Sequence, residues 1–502
     1  MPAADPSVDD VNLANGMDEP APEGADDNDA AAVPTDDLWT RMRNGFALNL
    51  AIDNDRIRVQ RDWYARHPKY FMRVTTRAER YLDHIVDEAQ KRDMPLELAL
   101  LPMVESAFDP FAYSHGRAAG PWQFIPSTGD HFGMKRTWWQ DQRRDIIKST
   151  DAALTYLKQL SERFDGDWLL ALAAYNAGGG TVSRAIKINQ KAGKPTDFWH
   201  LNLPRETTAY VPKLLAIAQI VQSPDKYNIA LHPIPNHPYF ASVNTGGQID
   251  LAQAAKLAGV SVEELYLLNP AFNRWATSPN GPHRLLVPVD KAEHFRERLA
   301  SLPKGERMQW NRYQIRPGDN LLSIAHQYRT TPEVLRSINH LRGNTIIAGR
   351  TLLIPGPSAN GDSYSLSAAS RLAQQQSRAR HGRKRINYRV HSGDTLWAIA
   401  RHHHVSVRQL AKWNNMAPAD SLHIGQKLAI WTGSGTSSSS AARNMVRKLR
   451  YSVRNGDSLY AIADRFNVSV NDIRNWNDSV NDKRYLHPGQ RLTLYVDIRR
   501  TD

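Results

Sequence analysis

A chain of 502 residues exceeds what one ordinary hydrophobic core can fill, so several domains are expected. Apolar residues make up 41% of it, cysteine is absent, and 64 Lys and Arg against 51 Asp and Glu leave a net charge of +13. Disulfides, thiol nucleophiles and Cys-ligated zinc are therefore excluded. No apolar run approaches the roughly 20 residues of a membrane-spanning helix, and the basic field favours a polyanion without choosing which.

Residues 1–37 are rich in Asp, Ala and Pro and almost without aromatics, the composition of a disordered acidic tether. No basic-then-apolar export signal stands at Met1. Within 38–227 apolar residues recur at helical spacing in 77–92, 96–104, 152–164, 168–175 and 210–221, with no convincing run of strands. This region is predicted to be mainly α-helical.

Four clusters in it point to chemistry. Glu105-Ser106-Ala107-Phe108-Asp109-Pro110 follows an almost wholly apolar segment; Ser114 precedes Gly120-Pro121-Trp122-Gln123-Phe124; Ala174-Tyr175-Asn176-Ala177-Gly178 ends a helix; Glu206-Thr207 stands before Tyr210-Val211. A carboxylic acid at the edge of an apolar core loses hydration, which raises its pKa and lets it hold a proton near neutrality. Glycoside cleavage needs such a proton on the leaving oxygen. A lone helix-end Glu is more often half of an ion pair, and the neighbouring clusters are what favour the catalytic reading.

Residues 228–310 form a connecting region in which Leu251, Ala255, Glu263, Leu265 and Asn269 keep the register of a pattern that repeats clearly three times further on. The first clear copy (311–356) opens with Tyr313, turns at Gly318-Asp319, runs through Leu321, Ile324, Ala325 and Asn339, and closes after Ile347 at Gly349 to Pro355. The second (387–431) has Tyr388, Gly393-Asp394-Thr395, Ile399-Ala400, Trp413-Asn414 and Ile424-Gly425. The third (449–496) has Tyr451, Gly456-Asp457-Ser458, Ile462-Ala463, Trp476-Asn477 and Pro488-Gly489. Strand alternation, a Gly-Asp turn, helical spacing and a closing strand give a βααβ module. The stretches 357–386 and 432–448 lack apolar periodicity and are expected to be flexible or weakly helical connections, on which the repeats would act as separate hands.

The three repeats resemble the LysM domain, and 241–289 reads as a degenerate copy lacking the Gly-Asp turn. The N-terminal clusters resemble the goose-lysozyme-like catalytic domain of lytic transglycosylases, with Gly-Pro-Trp-Gln-Phe departing from the commoner Gly-Leu-Met-Gln. The fold class implied is multidomain: a mainly α-helical, lysozyme-like catalytic domain followed by small α+β LysM modules on linkers. The resemblance implies that Glu105 is acid and then base, that Ser114 and Gln123 position the sugar's N-acetyl group and hydroxyls, and that Tyr175 lies near the scissile bond. Asn176 would fix its loop and Glu206 would lie in the cleft.

It further implies cleavage of the MurNAc–GlcNAc β-1,4 bond of peptidoglycan, by a carbon–oxygen lyase that needs no cofactor and no metal and leaves 1,6-anhydro-MurNAc ends. In the repeats, glycan would bind at Gly318, Asp319, Gly393, Asp394, Thr395, Gly456, Asp457 and Ser458, with Ile347, Ile424 and Pro488 opposite. The Gly-Asp turns could also cap helices. Peptidoglycan glycan strands are the expected partner, of a monomer, with no nucleic acid. The expected location is the periplasm of a Gram-negative cell envelope. An export signal, able to carry a lipid anchor to the outer membrane, would then have preceded Met1.

Two alternatives stay open: a lysozyme-type hydrolase, for which Asp109 or Asp130 would supply the second carboxylate, and a non-catalytic wall-binding scaffold. His402-His403-His404 point in different directions on a helix and read as a solvated face rather than a metal site. Trp138-Trp139 and Trp168 read as core packing. Arg143-Arg144-Asp145 reads as an ion-paired surface or interhelical lock.

Overall fold

The computed structural model describes residues 37–328, 330–380, 382–433, 446–454, 457–466, 468, 470–477, 480 and 486–497. The acidic tether up to residue 36 and most of the second connection, 434–445, lie outside them. The chain forms two compact units that divide between Thr432 and Gly433.

The first unit opens with helices α1 (Leu38–Asn44), α2 (Asp55–Ala65), α3 (Pro68–Ala78), α4 (Leu82–Gln90), α5 (Leu101–Ser106), α6 (Pro126–His131), α7 (Ile146–Arg163), α8 (Trp168–Ala177), α9 (Gly179–Lys191) and α10 (Arg205–Gln222). Side-chain caps fix their starts: Asp145 accepts from the Lys148 N–H at α7, and Asp167 from Leu169 and Leu170 at α8. The buried run Leu170–Ala174 leaves α8 apolar on every side, so it can only sit inside, and α7, α9 and α10 pack around it. The periodic stretch 77–92 spans the end of α3 and all of α4, with a break between Ala78 and Leu82. The stretch 96–104 opens as a 3₁₀ turn (Leu96–Leu100) and becomes α-helical only at Leu101, with Pro102, which has no N–H to donate, in the first turn.

Beyond Tyr227 the βααβ order recurs. Strands β1 (Phe240–Asn244) and β2 (Arg284–Pro288) pair antiparallel around α11 (Leu251–Ala258) and α12 (Val262–Leu268), and α13 (Ala292–Ser301) follows. β3 (Gln309–Gln314) and β4 (Thr351–Gly356) enclose α14 (Leu321–Gln327) and α15 (Pro332–Ile338). After α16 (Ala368–Ser377), β5 (Arg383–Arg389) and β6 (Lys427–Gly433) enclose α17 (Leu396–His402) and α18 (Val407–Trp413). The second unit holds β7 (Val446–Ser452), α19 (Leu459–Arg465), α20 (Val470–Asn475) and β8 (Arg491–Asp497).

Two polar devices hold these small modules, whose cores are too slight to do so alone. The first is an asparagine after the second helix. Asn414 donates to the carbonyls of Leu410 and Ala429 and accepts from the Ala429 N–H at 2.7 Å. Asn339 and Asn477 repeat these three bonds, and so does Asn269 of the degenerate copy, with Leu265 and Leu286. The second is the turn aspartate. Asp319, Asp394 and Asp457 each accept a tyrosine hydroxyl, from Tyr313, Tyr388 and Tyr451, at 2.6–2.8 Å, together with a backbone N–H of the turn. Helix capping falls to the next residue: Asn320, Thr395 and Ser458 accept from the N–H three positions on.

The first connection is not free. Helix α16 occupies it, Tyr364 ahead of that helix donates to Asp250 at 2.9 Å, and the Arg371 guanidinium lies 4.0 Å from the centre of the Phe111 ring. The expectation of independently swinging repeats therefore gives way, for the first two copies, to modules packed within one unit. Trp138 and Trp139 do pack a core, but one shared with Trp275, Met308 and Val334 at the junction of the helical region, the degenerate copy and the first repeat.

Candidate active site

Helix α5 delivers Glu105 in its last turn and then stops abruptly, because Ala107 and Phe108 both take left-handed backbone with φ near +50°. The reversal is tied down by Ser106, whose hydroxyl lies 3.1 Å from the Pro102 carbonyl and 3.0 Å from that of Pro121. The end of α5 is thereby joined to the turn Gly120-Pro121-Trp122-Gln123. Trp122 anchors that turn by donating its indole N–H to Thr150 on α7 at 3.0 Å, and Tyr175 on α8 donates its hydroxyl to the Trp122 carbonyl at 3.0 Å. Gly120 has φ +81°, and a Cβ there would stand 2.4 Å from the Arg143 carbonyl, so only glycine fits.

The Glu105 side chain keeps partial access to solvent, while Tyr210 on α10 is buried beside it and donates its hydroxyl to Oε1 at 2.6 Å. Loss of hydration pushes the Glu105 carboxyl up to about 7; the Glu206 carboxylate adds to the rise, and the Tyr210 bond and the Lys213 charge oppose it. Tyr175 and Tyr210 are both held well above the ordinary phenol range, by burial first and by the nearby Glu105 second. Both phenols therefore remain neutral donors at working pH.

The other expected residues divide. Asn176 sits at the end of α8 and is bound from α10: the Thr207 hydroxyl donates to its Oδ1 at 2.7 Å, and its Nδ2 lies 3.4 Å from Glu206 Oε1. Glu206 itself is exposed. Gln123, at φ +48°, turns its Nε2 back onto the Gly120 carbonyl at 2.9 Å. Ser114 accepts from the Ala118 N–H at 3.0 Å and closes its own turn. The turn-capping reading of Ser114 thus has a bond behind it. Asp109 accepts from the Phe111 N–H, and its charge faces Arg77, Arg371 and Arg144; Asp130 pairs with Arg136 at the surface.

Two residues that the sequence singled out without giving them a part in the site prove to be its supports. Tyr210 lies one helical turn beyond Glu206, and that i, i+4 spacing was the available signal. Arg143 is buried, paired with Asp141 at 2.7 Å, and donates to the carbonyls of Arg117 and Phe124, so it braces the loop carrying Ser114 and Gln123 from beneath. The sequence placed Arg143 in a lock; its partner is Asp141, while Asp145 pairs with Arg284.

In the repeats, Gly318 and Gly393 take φ near +88°, and Ile347, Ile424 and Pro488, in the loops before the closing strands, are exposed. Asp319, Asp394 and Asp457 spend their carboxylates within the turn, as do Thr395 and Ser458 their hydroxyls at the helix starts. Gly456 lies outside the described residues.

A helical domain that holds one desolvated glutamic acid with partial access to solvent, with βααβ repeats behind it, is the architecture of a lytic transglycosylase. The family model for the transglycosylase SLT domain matches residues 84–198; the lytic transglycosylase MltD LysM-like domain matches 239–304, over the degenerate copy; and the LysM domain matches 313–355, 388–431 and 451–494. The membrane-bound lytic murein transglycosylase D of Escherichia coli (strain K12) is 38% identical over 416 residues, covering 79% of this chain and 87% of that protein, and the chain belongs to that family. An autolysin of Enterococcus faecalis is 32% identical over 188 residues, 36% of this chain and 24% of its own length. An inactive variant of lytic transglycosylase Slt from Pseudomonas aeruginosa matches at 24% identity with a TM-score of 0.23, covering 38% of this chain and 33% of that one.

Proposed function

We propose that Glu105 alone performs the proton transfers of a non-hydrolytic cleavage of the MurNAc–GlcNAc β-1,4 bond in peptidoglycan. The observation that carries this reading is the half-buried Glu105 carboxyl, held by the Tyr210 hydroxyl and pushed up to about 7 by loss of hydration, with the Glu206 charge adding to the rise. A hydrolase needs two working carboxylates, one to protonate and one to attack or to activate water. Asp109 is turned to arginines and a backbone N–H, Asp130 is paired on the surface, and Glu206 is tied to Asn176.

Glu105 gives its proton to the glycosidic oxygen as the bond from C1 breaks. The resulting carboxylate takes the proton of the muramic acid C6 hydroxyl, whose oxygen closes on C1. A 1,6-anhydro-MurNAc end and a free GlcNAc hydroxyl result, with no water added. The attacking group is already on the ring, so proximity lets it compete with bulk water. Tyr210 holds the Glu105 carboxyl in place, and Tyr175 steadies the turn Gly120-Pro121-Trp122-Gln123. The oxygen of Gln123 that its own turn leaves free, together with Ser114, would meet the N-acetyl group and hydroxyls. Exposed Ile347, Ile424 and Pro488 give the repeats an apolar wall for glycan.

The family places this work in the cell envelope; a monomer, with an N-terminal lipid anchor in the outer membrane, completes the reading. No helix among the described residues is long and apolar enough to cross a membrane. Mass spectrometry of digested peptidoglycan tests the chemistry. Wild type should release anhydro-muropeptides, one water lighter than reducing-end products, and Glu105→Gln should release neither while still binding wall. Reducing ends would move the protein to the hydrolases.

A further inference from the structure

The second repeat touches the loop that carries Ser114. Arg117 Nε lies 2.5 Å from Oδ1 of Asp420, Tyr113 reaches the same carboxylate at 3.4 Å, and the Arg117 guanidinium also donates to the Ala419 carbonyl. Asp420 belongs to the loop that runs on into Ile424, the exposed apolar residue of that repeat. Its own turn is closed by the Ala417 N–H bonding to Oδ2 at 2.7 Å. On the other side, Tyr113 bridges to Ala119 and Ala119 to Phe124, next to Gln123.

A second, independent attachment comes from the strap 357–386. It is pinned at one end by Tyr364 on Asp250 and by Arg371 on Phe111. At the other end Gln376 donates to Asn414 and to the Lys427 carbonyl, and Arg380 lies 4.6 Å from the Trp431 ring centre. Two attachments fix an orientation where one would leave a swivel. The docking covers neither site: Ile424 stays 76% exposed, and Glu105 keeps its access to solvent.

We propose that the second repeat is a fixed extension of the catalytic cleft, a distal glycan subsite held in register with Glu105 through the Arg117–Asp420 contact and the strap. Asp420 and Arg117 are positioning residues in this scheme, touching no reacting atom. The proposal rests on the reading that Glu105 cleaves glycan and that the repeats bind it. A strand long enough to lie in both places gains from the fixed geometry, because the second binding event becomes intramolecular. A fragment that fills only the cleft gains nothing.

The test compares long, peptide-free glycan strands with short soluble muropeptides on the full chain. Asp420→Asn keeps an acceptor for the Ala417 N–H and removes the charge; Arg117→Glu sets two carboxylates against each other. Each should raise KM on long strands severalfold, leave kcat on them unchanged and leave short-fragment turnover as in wild type. Because the chain has no native cysteine, Arg117→Cys with Asp420→Cys can be bridged by a short bis-maleimide, and bridging should restore the wild-type KM. Unchanged KM on long strands, equal losses on both substrates, failure of the bridge to restore KM, or faster short-fragment turnover would each overturn the proposal, the last by revealing a restraint instead. Residual activity of Glu105→Gln would sink the catalytic reading and leave this comparison standing. Ile424→Asp without effect on long-strand KM would show that the repeat holds no glycan.

Discussion

Glu105 has to hold a proton near neutral pH and still give it up, and its neighbours pull in opposite directions to arrange that. Burial and Glu206 raise its pKa to about 7, while Tyr210 and Lys213 lower it. The acid works in its protonated form, so the rate should fall as pH rises through about 7. Tyr210→Phe deletes a bond that favours the anion, and the alkaline limb of kcat/KM should move upward by about one pH unit. A limb that stays put would mean that Tyr210 does not tune the acid.

The same shift is a stability statement. Between its ordinary value of 4.5 and about 7, the folded protein binds more protons at this group than the unfolded chain, so stability falls as pH rises across that window. The cost is complete above it. Glu105→Gln should therefore melt above wild type at about pH 8, by up to roughly 2 kcal/mol, and the gap should close toward about pH 4. Gly120→Ala should act in the other direction: a Cβ 2.4 Å from a backbone carbonyl displaces the Gln123 turn, and cleavage should fall by at least about tenfold while the repeats still bind wall. Motif spacing brought Glu105, Tyr175, Asn176 and Glu206 to one place. It could not show that Tyr210 meets Glu105, a contact that joins positions 105 residues apart.

At the scale of elements, periodicity told where helices lie better than where they break. The helical spacing of apolar residues in 77–92 runs on through the gap between Ala78 and Leu82 and so does not mark the break. Short helices such as α6 went unread, since six residues leave too little period to register. The repeats were legible because three copies average out local noise, and the asparagine after the second helix is the element that makes the fourth copy the same object. In the second repeat, Asn414 is 3% exposed and makes three backbone bonds. Asn414→Ala strands those groups and should cost about 2–4 kcal/mol. Asn414→Asp, nearly isosteric, sets a carboxylate against two carbonyls and should cost more. Thermal unfolding of the two variants checks the order; equal losses would mean that only the side chain's bulk matters.

At the scale of the molecule, composition left the first connection between two states. Ser, Gln and Arg without apolar periodicity read as flexible or weakly helical, and α16 is a helix that needs little apolar surface of its own because the segment is held by Tyr364 on Asp250 and by Arg371 on Phe111. These are long-range contacts that no local pattern announces. Arg371 is an uneasy anchor: burial, with Arg144 nearby, pulls its guanidinium down to about 9. A buried cation crowded by another is held only as long as its packing survives. Hydrogen exchange separates the two pictures. A free linker exchanges its amides at the rate of an unfolded chain, whereas a packed α16 should be slowed by about tenfold or more. Tyr364→Phe together with Arg371→Ala should abolish that protection across 368–377 and leave α8, deep in the helical core, protected as before. Protection retained in the double variant would mean that the strap is held chiefly by its glutamine contacts to the second repeat, Gln375 on the Lys412 carbonyl and Gln376 on Asn414.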